Sequence, residues 1–290
     1  MRSFLVVTLT ITVLFISCTD KQSKEKIGPV ARNAMVVTAH PLATEIGINI
    51  IQGGGNAIDA ATAIQFALAV CYPSAGNIGG GGFMVVRFSN GTVNSLDFRE
   101  KAPQKGHRDM YLDNEGNVIE GLSEKSHLAV GVPGTVAGML KMHDRYGILT
   151  FTEVIQPAID LARNGFPVTE KQALSLNDKR DLFLAMNDYP TAFVRDSGWK
   201  AGDILIQKEL AVTLERVRDQ GRDGFYKGET AENIVREMER GGGLITLKDL
   251  EKYQAVWRKP ITGDYKDYRI ISVGPPSSGG IALMQLLGMV

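Results

Sequence analysis

The chain has 290 residues, with 32 Lys or Arg against 32 Asp or Glu, so its formal charge is zero. Hydrophobic residues make up 44% and charged residues 22%, which excludes disorder over most of the length, because that much apolar surface offsets the entropy of ordering. No basic excess exists to neutralise phosphates, so a nucleic-acid partner is excluded as well.

At the N-terminus, Arg2, the apolar run Phe4 to Ile16 and the pair Ser17-Cys18 read as an export signal. The run suits a signal core and falls short of the ~20 residues needed to span a bilayer. A small residue directly before Cys18 resembles the cleavage box of bacterial lipoproteins. That resemblance implies removal of residues 1–17 and a lipid on the Cys18 sulfur. The other reading is a plain secretory signal in which Cys18 is incidental. On the first reading residues 18–30 form a polar, lipid-anchored tether and residues 31–290 form the folded domain. The protein is then exported, to the periplasm or the outer surface, and anchored to a bacterial membrane.

Ala34 to Thr38 has the length and composition of a short strand. Pro41 suits the first turn of a helix that runs to about Gln52 and stops at Gly53-Gly54-Gly55. Asn56 is an N-cap for an alanine-rich helix to about Val70, ended by Tyr72-Pro73. Cys71, at its end, reads as a buried, inert thiol. The run Gly79 to Gly82 enters a strand, and Asn90-Gly91 joins it to a second one, which predicts a hairpin over Phe83–Phe98.

Helices follow over 134–146 and after the capping pair Thr150 and Glu153, the latter ending at Asn164-Gly165. Others read over 208–220 and 230–240, with a short one opened by Thr246 and Asp249. Residues 257–273 look extended, with a turn near Gly263-Asp264. The last stretch, Ile281 to Val290, is apolar on almost every helical face, which suits the interior of a larger protein. Its abrupt stop predicts that the chain ends within an element and is a fragment.

No self-contained catalytic set is present: no Gly-x-Ser-x-Gly, no His-Glu-x-x-His and no paired cysteines at zinc spacing. His40, His107, His127 and His143 are scattered, and no metal site is expected. Gly79 to Gly82 follows a helix and enters a strand. That is the reverse of the order that puts a phosphate on a helix N-terminus, so a tight turn against another element is the better account. Arg99, in Asp97-Phe98-Arg99-Glu100-Lys101-Ala102-Pro103, sits where a strand leaves a sheet. Its planar fork suits a substrate carboxylate, and its acidic neighbours equally suit an internal ion pair.

Six blocks then occur in one order from about Ala31 onward. They are Gly53-Gly54-Gly55-Asn56-Ala57-Ile58-Asp59-Ala60, Pro73 to Phe83, Asp97 to Pro103, Gly131 to Gly138, Gly241 to Thr246, and Pro275-Pro276-Ser277-Ser278-Gly279-Gly280. Together they resemble the gamma-glutamyltranspeptidase family. The resemblance implies an α+β fold, part of the four-layer αββα sandwich of N-terminal-nucleophile hydrolases, truncated before the small subunit. It implies a precursor that cuts itself and a gamma-glutamyltransferase and glutathione hydrolase activity. The new N-terminal Thr attacks the gamma-glutamyl amide, with its own α-amine as base, and the acyl group passes to water or to an amino acid or peptide.

The family's Thr-His-x-Ser context is absent from residues 1–290, so no catalytic residue is expected in this chain and the fragment alone is expected to be inactive. The family's donor-carboxylate Arg matches Arg99. The implied partners are glutathione and other gamma-glutamyl donors, and the missing C-terminal small subunit. No cofactor is implied. The alternatives are a related cephalosporin-type acylase, or a non-catalytic lipoprotein remnant if translation stops at Val290.

Overall fold

A computed structural model describes residues 28–290. Residues 1–27, with the export signal and Cys18, lie outside the described residues. The chain divides into Met1–Met35 and Val36–Val290. In the first unit, residues 28–35 form neither helix nor strand. All of the elements below belong to the second.

Helix α1 (Pro41–Gln52) begins with Pro41 at its first turn, and the His40 ring accepts the Leu42 N–H as a side-chain cap. Helix α2 (Ala57–Cys71) opens on a capping box: the Asn56 side chain takes the N–H groups of Ile58 and Asp59, and Asp59 takes that of Asn56. Asp59 is fully buried and also accepts the Ile148 N–H at 3.1 Å, while the Asn56 amide donates to the Tyr146 carbonyl. One cap therefore closes a helix and pins a distant loop to it. Cys71 is fully buried, and burial pushes its thiol up to about 12.

Strands β1 (Phe83–Arg87) and β2 (Val93–Asp97) form the expected antiparallel hairpin. Its connection differs from a two-residue Asn-Gly turn. Phe88 N–H donates to the Thr92 carbonyl, and of Ser89, Asn90 and Gly91 only Gly91 has positive φ, at 83°. A single left-handed residue after a right-handed turn suffices for a three-residue loop.

Next come α3 (Leu122–Lys125), a 3₁₀ turn over His127–Ala129, α4 (Thr135–Tyr146) and α5 (Phe151–Asn164). Helix α5 starts with the expected Thr150–Glu153 capping box and ends at Gly165. A two-stranded pair, β3 (Phe166–Pro167) with β4 (Ile204–Leu205), flanks α6 (Glu170–Asp178) and α7 (Arg180–Met186). Then follow α8 (Lys208–Gln220), α9 (Asp223–Tyr226), α10 (Gly228–Gly241) and α11 (Leu247–Lys252).

Strand β5 (Val256–Arg258) joins β2 antiparallel, so the larger sheet has the order β1-β2-β5. Strands β6 (Ile261–Tyr265) and β7 (Tyr268–Ser272) make a separate hairpin, and α12 (Gly279–Leu287) follows.

Helices pack in a row: α1 on α2, α2 on α5, α5 on α8. The alanines of α2 permit that close approach. Helix α4 bridges α2 to strand β2. Phe66, Val70, Leu96, Val136, Met142, Ile155, Ile159 and Leu214 are among the fully enclosed side chains of this core. No helix among the described residues is long and apolar enough to cross a membrane.

Two expectations are corrected. Residues 34–38 form no strand: an apolar run becomes a strand only where a neighbour completes its ladder, none of the described residues does, and Val37 is 83% exposed. The turn expected at Gly263-Asp264 falls instead at Lys266-Asp267, where Lys266 carries φ 50°. Gly263 is a strand residue whose missing side chain makes room for the Met284 sulfur. Helix α12 buries only Gly280, and Leu286 is 62% exposed, so its apolar faces are mostly bare, as expected of an apolar helix suited to the interior of a larger protein.

Candidate functional site

The segment after β2 is built to present Arg99. Phe98 exchanges both backbone hydrogen bonds with Gly82, and Lys101 exchanges both with Val132. Arg99 falls between these two ladders, and side chains satisfy its peptide groups instead. Its N–H donates to Asp97 Oδ1 at 3.0 Å. Its carbonyl accepts the Tyr253 hydroxyl at 2.7 Å. Asp97 is itself held by Arg258 Nε, 2.7 Å from Oδ2.

Two glycines bring neighbouring chain against this segment. A Cβ on Gly81 would strike the Phe98 carbonyl oxygen and lie 2.8 Å from the Glu100 nitrogen. A Cβ on Gly134 would strike both the Phe98 carbonyl oxygen and the Tyr253 hydroxyl. The Gly80 carbonyl accepts the N–H groups of Gly134 and Thr135, which locks the glycine run to the start of α4. The run is thus a close backbone packing device, as its position before a strand implies.

Tyr253 is 2% exposed and stacks on Tyr226, with ring centroids 5.8 Å apart and planes 6° apart. Tyr226 donates to the Pro133 carbonyl and accepts the Ala137 N–H. Burial, with the Asp97 and Glu100 charges adding to it, pushes the Tyr253 phenol above the usual range, so it stays a neutral donor. Arg222 Nη2 donates to the carbonyls of Leu250, Glu251 and Tyr253, fixing the chain where α11 ends.

The Arg99 side chain itself projects outward. It is 57% exposed, its Cζ lies 5.8 Å from the Phe83 ring centroid, and its Nε is 3.3 Å from Glu100 Oε2. The Asp97 carboxylate is committed to the Arg99 backbone and to Arg258, so it does not neutralise the guanidinium. The Glu100 contact is a solvent-exposed pair, worth about 0–1 kcal/mol. A braced backbone carrying an outward guanidinium can capture a carboxylate through paired N–H donors. Asp97 and Glu100 are legible beside Arg99 in sequence. Tyr253 and Arg258 are not, since no local pattern links a side chain to a carbonyl 154 residues away.

The histidines do not converge on a site. His40 caps α1 and meets Gln172, His127 pairs with Glu237, and buried His143 lies 3.3 Å from Asp59. Hydrogen bonds from Arg240, and then from His127, hold the Glu237 carboxyl down at about 2.

The described residues thus form a mixed helix-and-sheet domain in which Arg99 leaves a braced strand end with its side chain exposed. A family model described as gamma-glutamyltranspeptidase matches residues 43–290, and the chain belongs to that family. It is 47% identical over 262 residues to the glutathione hydrolase proenzyme of Escherichia coli (strain K12), covering 90% of this chain and 45% of that protein. The chain thus spans a little under half the length of this relative. It resembles the crystal structure of Helicobacter pylori gamma-glutamyltranspeptidase with TM-score 0.85 and 47% identity, over 89% of this chain and 75% of that one. A cephalosporin acylase from Bacillus halodurans is also similar, with TM-score 0.70 and 26% identity, over 87% of this chain and 49% of that one.

Proposed function

We propose that this chain is the large-subunit part of a gamma-glutamyltransferase and glutathione hydrolase precursor, and that Arg99 holds the α-carboxylate of the gamma-glutamyl donor. The observation that carries this is the exposed guanidinium on a peptide braced from both sides. On this reading the complete precursor has the four-layer αββα sandwich, and the remainder of the precursor covers the bare faces of α12. The Thr nucleophile lies beyond residue 290. Its Oγ attacks the gamma-glutamyl carbonyl, the amine leaves with a proton, and water or an amino acid or peptide takes the acyl group.

The 47% identity to a glutathione hydrolase proenzyme, against 26% to the acylase, favours the gamma-glutamyl donor. The test is to express the complete precursor, follow self-cleavage on a gel, and offer a gamma-glutamyl anilide beside a cephalosporin amide. Faster release of the aniline supports the proposal. Preference for the cephalosporin amide overturns it in favour of the acylase, and a precursor that never cuts itself or turns over either compound supports a non-catalytic remnant. Residues 18–290 alone are expected to release no aniline.

We propose further that residues 1–17 are removed and Cys18 carries a lipid that anchors the exported protein to a membrane. Only a thiol takes the thioether lipid, and acyl chains bind membrane far better than a bare polar tether. Cys18→Ser is expected to lose palmitate label and to leave the membrane fraction. Retained label in Cys18→Ser would overturn this reading, because the lipid would then sit elsewhere.

A further inference from the structure

The peptide of Arg99 poses a question that the sheet does not answer. Backbone groups on either side of it are paired in ladders, to Gly82 and to Val132, and the Arg99 carbonyl has no such neighbour. A loosely held peptide at that point would let the guanidinium wander, because rotation about one peptide displaces the far end of a long side chain by ångströms. The Tyr253 hydroxyl fills that gap at 2.7 Å. It is reached only because Gly134 has no side chain there, and its ring is held flat against Tyr226. The Lys101 ammonium, 5.0 Å from the ring centroid, covers the ring on the side of the loop and donates to the Gln254 carbonyl.

We infer that Tyr253 is a positioning residue for donor recognition: its hydroxyl fixes the Arg99 carbonyl and so sets the direction of the guanidinium. This rests on the reading of Arg99 as the clamp for the donor's α-carboxylate. It assigns the contact a role in selectivity beyond satisfying a buried phenol. A substrate group held by a misdirected fork loses part of its binding without any change in the bond-making steps. The consequence is confined to donors that carry the carboxylate.

The experiment uses the complete precursor as wild type, Tyr253→Phe and Arg99→Ala. Each is assayed with a gamma-glutamyl anilide and with a 4-aminobutyryl anilide, which has the same chain and amine but no α-carboxylate. Tyr253→Phe keeps the ring and its stack and removes only the hydroxyl. It is expected to raise KM for the gamma-glutamyl anilide about three- to tenfold, the scale of one hydrogen bond. Its kcat should stay within about twofold, and the 4-aminobutyryl anilide should be unaffected.

The ratio of kcat/KM for the two donors is independent of how much enzyme has matured, so incomplete self-cleavage does not obscure it. A wild-type ratio in Tyr253→Phe, or an equal loss on both donors, overturns the inference, since either means a purely structural hydroxyl. If Arg99→Ala also keeps the wild-type ratio, the clamp reading itself has failed. If Arg99→Ala collapses the ratio while Tyr253→Phe preserves it, only the positioning role has failed.

Discussion

Arg99→Ala in the complete precursor is expected to lower kcat/KM for a gamma-glutamyl donor by roughly 30- to several-thousand-fold while self-cleavage proceeds. The range follows from the ~2–5 kcal/mol typical of removing one partner of a charged pair in a desolvated pocket. Maturation should survive, because the scissile peptide bond has no α-carboxylate to hold. Stability should change little as well. Among the described residues the Arg99 side chain makes only the exposed contact with Glu100 and the Phe83 approach, and the Asp97 carboxylate holds Arg258 and the Arg99 N–H instead. Arg99→Lys should recover part of the loss, since an ammonium supplies the charge but not the paired donors of the fork. Parallel measurement of processing on a gel, thermal midpoint and kcat/KM separates the roles. A mature, folded Arg99→Ala enzyme with near-normal kcat/KM would exclude the carboxylate clamp.

Gly81→Ala should be the most damaging methyl in the glycine run. Its Cβ would meet the Phe98 carbonyl oxygen and lie 3.0 Å from the Arg99 carbonyl carbon, and both are backbone atoms of a strand end braced elsewhere. Backbone cannot swing aside as a side chain tip does, so the segment must shift as a unit. Overpacking of this kind costs about 1–3 kcal/mol, and ~2–4 °C of midpoint per kcal/mol is usual for chains of 150–250 residues. The shift also carries Arg99 with it, so donor selectivity should fall along with stability. Gly79→Ala is the matched control, because nothing lies within 4 Å of the position a Cβ would take there. Equal midpoints and equal donor kinetics for the two variants would refute this account of the run.

Local chemistry made much of the fold legible. Asn56, Thr150 and Thr246 each announce a helix start because the cap and its partner lie within four residues, and all three boxes form. The same signal exists at Thr169 and Gln172, where α6 begins, and reading it there would have found that helix. What stayed hidden depends on partners distant in sequence. Residues 34–38 have strand composition but no ladder, and Gly263 looks like a turn until Met284 is seen to need its space. At the site, Arg99 stands out by type and by its place at a strand end. Whether Asp97 neutralises it was undecidable from adjacency, because the answer lies with Arg258 across the sheet and Tyr253 beyond it.

The enclosure of Cys71 has a use as a clock. With burial pushing its thiol up to about 12, Cys71 stays protonated at neutral pH, and only the thiolate attacks an alkylating reagent. Its carbonyl is held by the Gln172 amide at 2.6 Å, which ties the end of α2 to α6. Alkylation of Cys71 therefore waits for that junction to part. At saturating reagent its rate reports how often that one junction opens, in a protein that is otherwise still folded.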